Sequence, residues 1–123
     1  KTVDTQNSDN DMSILEKNIE RAIRENDKIN GIFAVNEIYA GAALKVLKKL
    51  SIAVPEKVSI ICFTDGLISK YSSPTLTTVN QHGEEIGKVA ATKLIDRLEK
   101  EDEEETVFKE YVIKTTIVER EST

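Results

Sequence analysis

One run of six residues constrains this chain more than any other. Val58 to Phe63 reads Val-Ser-Ile-Ile-Cys-Phe and stops at Thr64-Asp65-Gly66. Its apolar residues do not alternate with polar ones, which predicts a strand with both faces covered, as in a parallel sheet. A polar loop leads from Gly66 to a second short strand at Leu76–Val79. In open parallel sheets, ligands bind outside the carboxyl ends of the strands. Thr64 and Asp65 mark such an end, so that corner is the expected binding edge.

The flanking sequence has the same character. Leu15, Ile19, Ala22 and Ile23 form one apolar stripe of a helix running from Met12 to Glu25. Before it, Lys1 to Asn10 is polar, and Asn7 to Asp11 offers several capping side chains. Gly31–Val35 is a short apolar strand. Asn36 follows at once, suited to cap a helix starting at Glu37, whose inner face carries Tyr39, Ala43, Val46, Leu47 and Leu50. Val54-Pro55-Glu56 turns the chain into the central strand, because Pro55 disfavours helix at Val54. Glu84 to about Lys100 reads as a third long helix with a stripe of Ile86, Ala90, Leu94 and Leu98. The acidic run Glu99–Glu105 reads as a hydrated loop, with an interaction tail as its functional alternative. Val107–Val118 reads as a last strand. Short strands alternating with helices give an α/β layer with a mainly parallel sheet.

Composition excludes several classes. A net charge of −5 argues against these residues gripping nucleic acid by themselves. No apolar run approaches the roughly 18 residues of a membrane helix. The lone cysteine, Cys62, forms no internal disulfide and points to a reducing compartment; a small apolar residue in a buried strand is the simplest account of it. His82 is the only histidine, so no histidine-rich metal cluster is available. No phosphate-binding glycine loop is present. Nothing assembles into a catalytic set, and no cofactor is expected.

Two strand ends remain as candidates. If the strands are neighbours, Asn36, Thr64 and Asp65 bring an amide, a hydroxyl and a carboxylate to one crevice. Such groups suit a polyol, whose hydroxyls both donate and accept. Simpler roles stand beside that one: Asn36 as a helix cap, and Thr64-Asp65-Gly66 as a turn.

At this point the residues resemble a family. The pieces are Gly31–Glu37, Val54–Asp65, Pro74–Gln81, Gly87 with Ala90-Ala91 and Leu94, and the closing Arg120-Glu121-Ser122. In this order and spacing they are similar to the C-terminal part of a lactose/galactose-repressor (LacI/GalR) type transcription regulator. The resemblance implies a periplasmic-binding-protein-like (type I) effector domain of two α/β lobes, each a mainly parallel sheet flanked by helices. A small molecule, often a sugar or nucleobase, binds between the lobes, and a separate N-terminal segment reads operator DNA, usually as a cytoplasmic homodimer. The chain would then be the C-terminal portion of that domain, with about 83–110 belonging to the missing N-terminal lobe and the DNA-binding segment absent.

Carried over by position, the resemblance implies effector contacts at Asn36, Thr64, Asp65, Met12 and Gly83. Thr64 stands where the family often has an aspartate, which removes a charge from the edge, while Asp65 keeps the second acidic position. Met12 falls where some members carry an aromatic, and core packing at a helix start is its simpler role. With one lobe absent, the helix at Glu84–Lys100 loses its cover, so it is expected either to repack on its own lobe or to be buried by another copy. The alternative of another function is a sugar-binding protein of a transport system with the same fold. An α/β enzyme with an unrecognised site, and a scaffold with an unused cleft, are the rivals of other classes.

Overall fold

A computed structural model describes residues 12–99 and 109–123. The candidate caps at Asn7–Asp11 and most of the acidic run lie outside these residues. The described chain divides into two compact units. One holds the residues up to Asn80 together with Ile117–Thr123, and the other holds Gln81–Thr116.

The first unit is built on helix α1 (Met12–Arg24), strand β1 (Gly31–Ala34), helix α2 (Glu37–Lys49), strand β2 (Ser59–Cys62), helix α3 (Leu67–Tyr71) and strand β3 (Thr77–Asn80). β1, β2 and β3 are adjacent and parallel, with Ala34 opposite Cys62 and Cys62 opposite Thr78. Strand β4 (Thr116–Val118) lies next to β3 and completes the sheet order β1-β2-β3-β4. The α/β class, the parallel pairing and the positions of five expected elements agree with the sequence reading.

The core follows from side-chain size. α2 presents Ala40, Ala43 and Leu47 to the sheet residues Ala34, Ile60 and Cys62, and Val58 and Leu76 close the cluster. Two alanines on the inner face let the helix approach the sheet closely. Ile19 and Ile23 of α1 pack against this cluster. Two ion pairs tie α1 to α2 at the surface, Glu16 to Lys45 at 2.7 Å and Glu20 to Lys49 at 2.7 Å. Exposed pairs of this kind contribute little each, so their effect is mainly on the alignment of the two helices.

The structure corrects three expectations. The two faces of the sheet are not covered alike: Ile60 and Cys62 are fully buried under α2, but on the opposite face Ile61 of β2 is only half-buried, its β1 partner Phe33 is 61% exposed, and Val35 just beyond β1 is 60% exposed. The helices cover only one side, and nothing among the described residues covers the other side at those positions. The polar loop after Gly66 contains the short helix α3. The strand expected at 107–118 is realised only at Thr116–Val118; residues 107 and 108 lie outside the described chain, and 109–115 pair with no strand.

The second unit carries helix α4 (Gly83–Leu98), which buries none of its side chains. Ile86, Leu94, Ile95 and Leu98 are all exposed. Within this unit the Thr116 hydroxyl lies 2.9 Å from His82 Nε2, and Lys93 sits over the Tyr111 ring at 5.2 Å.

Candidate functional site

The carboxyl edge of the sheet is assembled by register. Asn36 and Thr64 each lie two residues beyond the paired Ala34 and Cys62, so they stand at the ends of neighbouring strands. The Phe63 N–H donates to Ala34 O at 2.9 Å and holds the two ends together. The Asn36 backbone is extended, and its Oδ1 accepts from the Tyr39 N–H at 3.0 Å. The cap uses one end of the amide and leaves the NH2 end aside, so capping and ligand binding are compatible. The Thr64 hydroxyl donates to the carbonyl of Phe63. A hydroxyl both donates and accepts, so it can serve a polar group at the edge in either sense.

Asp65 has a different surrounding from Thr64. Its Oδ1 accepts from Arg120 Nη2 at 2.6 Å and from the Thr78 hydroxyl at 3.0 Å. Lys70 Nζ stands 3.8 Å from Oδ2. The Asp65 side chain is only 9% exposed and that of Arg120 17%. Burial pushes the Asp65 carboxyl up, but the hydrogen bonds from Arg120 and Thr78 and the charges of Arg120 and Lys70 outweigh it. The net result is a pKa below the ordinary aspartate value. Asp65 is thus committed to an internal ion pair, which separates it from Thr64 despite their adjacency.

That depression fixes a pH dependence. A carboxyl whose folded-state pKa is lowered stabilises the fold above its unfolded-state value, and the contribution is lost as pH falls through the folded-state value. Glu20, held down by hydrogen bonds from Lys49 and Arg24, and Glu121, held down by bonds from the Thr75 backbone and hydroxyl, act in the same direction. The urea midpoint is expected to fall as pH drops below about 4, and Asp65→Asn is expected to flatten part of that acid limb. An unchanged limb in the variant would show that Asp65 is not held low.

The turn itself is braced from behind. The Ser69 hydroxyl donates to Thr64 O at 3.3 Å and to Glu37 Oε2 at 3.3 Å, and the Ser69 N–H donates to the same Glu37 oxygen at 3.2 Å. Cys62 Sγ lies 3.5 Å from Thr64 O and 3.4 Å from Ser69 Oγ. Burial pushes the Cys62 thiol up, against the opposing effect of Ser69, so it stays a neutral core group. Gly66 leaves room for the Glu37 carboxylate: a Cβ there would meet that side-chain end, which would have to move aside. Gly66→Ala is expected to displace that carboxylate from Ser69 and cost about 1–2 kcal/mol in urea denaturation. In a Glu37→Ala background the same change should cost almost nothing further.

Of the remaining candidates, Met12 is 39% exposed at the start of α1. Gly83 is the first residue of α4 in the second unit, with open space where a Cβ would point. The structure therefore brings Asn36 and Thr64 together and sets Asp65 behind them, while Gly83 belongs to the other compact unit. Sequence reading missed Arg120, Thr78, Ser69 and Glu37 as organisers of the edge. Arg120 was visible only as part of the closing motif, Ser69 only as a residue of a polar loop, and Glu37 only as the start of a helix.

Comparison with known proteins gives this geometry a context. A family described as periplasmic binding protein-like domain matches residues 2–123. The HTH-type transcriptional repressor PurR of Aliivibrio salmonicida (strain LFI1238) is 33% identical over 100 residues, covering 81% of this chain and 30% of the relative. Among solved structures, a transcriptional regulator CelR–cellobiose complex superposes with a TM-score of 0.79 at 27% identity, covering 91% of this chain and 33% of that one. A periplasmic binding protein/LacI transcriptional regulator from Alkaliphilus metalliredigens QYMF, complexed with D-xylulofuranose, gives a TM-score of 0.72 at 28% identity, covering 89% and 40%. The chain spans about a third of the length of these relatives.

Proposed function

We propose, for a chain that belongs to the periplasmic binding protein-like domain family, that it is the effector-sensing portion of a LacI-type bacterial transcription regulator and that its effector is a carbohydrate. One observation carries the ligand class. The edge offers an amide NH2 from Asn36 and a hydroxyl from Thr64, while of the two carboxylates near it Asp65 is paired with Arg120 and Glu37 is bonded to Ser69 behind the turn. A neutral ligand with hydroxyl groups matches those groups, and a cationic one does not. The sugars in the two related structures, cellobiose and D-xylulofuranose, are of this class.

Binding in the cleft would alter operator affinity through a DNA-reading segment outside this chain. Residues 83–110 would belong to the other lobe, a reading supported by the separate compact unit at Gln81–Thr116. A homodimer is favoured by the apolar side chains that α2 and α3 expose, Ile38, Leu67, Ile68 and Tyr71. The same need for cover applies to the bare stripe of α4. No helix among the described residues is long and apolar enough to cross a membrane, which fits a cytoplasmic regulator. The relatives are named as transcription regulators, which points away from an enzyme, and the buried thiol of Cys62 is unsuited to act as a nucleophile. The transport-protein alternative is not favoured by those names.

The test is a melting-temperature series with cellobiose, other neutral mono- and disaccharides, and a free nucleobase. A saturable upward shift with a carbohydrate, lost in Asn36→Ala, is expected. A shift with the nucleobase alone, or a carbohydrate shift that survives Asn36→Ala, would overturn the ligand class or the site.

A further inference from the structure

The Arg120 side chain reaches farther than seating the C-terminal tail requires. The tail is already fastened by other groups. Ser122 is fully buried; its hydroxyl donates to Ile60 O at 2.6 Å and accepts from the Thr77 N–H at 2.8 Å. Glu121 accepts from the Thr75 N–H at 2.8 Å and the Thr75 hydroxyl at 3.0 Å. Arg120 is itself fixed through its backbone, its N–H donating to Thr77 Oγ1 at 2.8 Å. From that anchored position its guanidinium donates to Leu76 O at 2.7 Å, to Thr78 Oγ1 at 3.3 Å and to Asp65 Oδ1 at 2.6 Å.

The placement of these partners in the chain is informative. The chain passes from one compact unit to the other at Asn80–Gln81 and returns at Thr116–Ile117. Thr78 lies two residues before the first crossing, and Arg120 lies three residues after the second. Asp65 hydrogen-bonds to both, and it directly follows Thr64 at the binding edge. The turn carrying Thr64 is braced by Ser69, Cys62 and Glu37, so a displacement there is passed to Asp65 rather than absorbed locally.

We propose that Asp65 and Arg120 are positioning residues that link the Thr64 turn to both chain crossings, so that a change at the binding edge is felt at Asn80–Gln81 and at Thr116–Val118 together. The effector reading gives this link its use, but the link is testable without any effector. Coupling between separated sites needs a connected element that both of them bias. Here that element is one carboxylate held by one group from each crossing strand.

The test perturbs the edge covalently in the 123-residue chain and reads amide exchange at the crossings. Thr64→Asp is introduced in the native background, with Asp65→Asn, and with Glu121→Gln as a tail variant outside the pair. In the native and Glu121→Gln backgrounds, exchange at Asn80, Gln81, Ile117 and Val118 is expected to change by about five-fold or more. In the Asp65→Asn background the change should shrink to near unity. A response confined to residues 62–66, or one of equal size with Asp65→Asn, overturns the proposal. If Asp65→Asn does not fold, Arg120→Lys replaces it: it keeps the charge, loses the fork, and should weaken the transfer, an undiminished response again overturning it. A chain that binds no carbohydrate still gives a result here, and failure of the transfer leaves the effector reading standing.

Discussion

Arg120→Met is expected to destabilise the chain by about 3 kcal/mol, seen as a lower urea midpoint at unchanged slope. The methionine keeps much of the apolar stem but removes every charge-assisted bond. Asp65 is then left with the Thr78 hydroxyl and a lysine at 3.8 Å, on a side chain only 9% exposed. Leu76 O loses its guanidinium donor as well. The size of the effect comes from the carboxylate left behind, more than from any large net gain of the original pair. The double variant with Asp65→Asn should therefore lose less than the sum of the two single changes. A loss below about 1 kcal/mol, the range of a solvent-exposed pair, would show that water screens this ion pair.

Ser122→Ala is expected to cost about 2 kcal/mol. The Ser122 hydroxyl bridges β2 and β3 at a point where it is fully buried. Removing it leaves the Thr77 N–H without its acceptor and withdraws a donor from Ile60 O. Water has no access to replace either bond, so most of the desolvation cost is retained. The Thr77 amide should lose protection from exchange selectively, while the Ile60 amide, which donates to the Ser122 carbonyl at 2.8 Å, keeps its partner. A change under about 0.5 kcal/mol, the scale of an ordinary surface substitution, would mean that this bridge is not needed to seat the tail.

The limits of sequence reading can be traced to particular residues. Stripes such as Leu15, Ile19 and Ala22 repeat at the helical period and were readable because burial and periodicity are local. Gly31–Ala34, Ser59–Cys62 and Thr77–Asn80 were readable for the same reason. α3 was missed because a five-residue helix carries too little periodicity, and the Glu37 carboxylate bound at Ser69 lies 32 positions away. The apolar run through β2 suggested cover on both sides, but apolar character records what a face tends to bury and not what lies over it. Phe33 and Val35 remain bare among the described residues for that reason.

Asn36 and Thr64 are legible as neighbours at the sheet edge because each ends a recognisable strand. Asp65 was grouped with them by adjacency, and its true partner lies 55 residues away. No spacing rule joins an aspartate in a turn to an arginine near the last strand. That pairing appears only when β4 is placed beside β3. The run from Lys109 to Thr115 shows the converse: β-branched residues favour a strand, but a strand forms only where a neighbour accepts its hydrogen bonds.

We propose that the ends of β1 and β2 form one side of a carbohydrate site. The most direct test is a titration of the isotope-labelled chain with cellobiose, followed by the backbone and side-chain amide signals. The account predicts that the Asn36 side-chain NH2 and the Thr64 backbone amide shift together and saturate at one ligand concentration. Shifts elsewhere with Asn36 and Thr64 unmoved would contradict it, as would no shift with cellobiose or with any other neutral sugar tested in the same way.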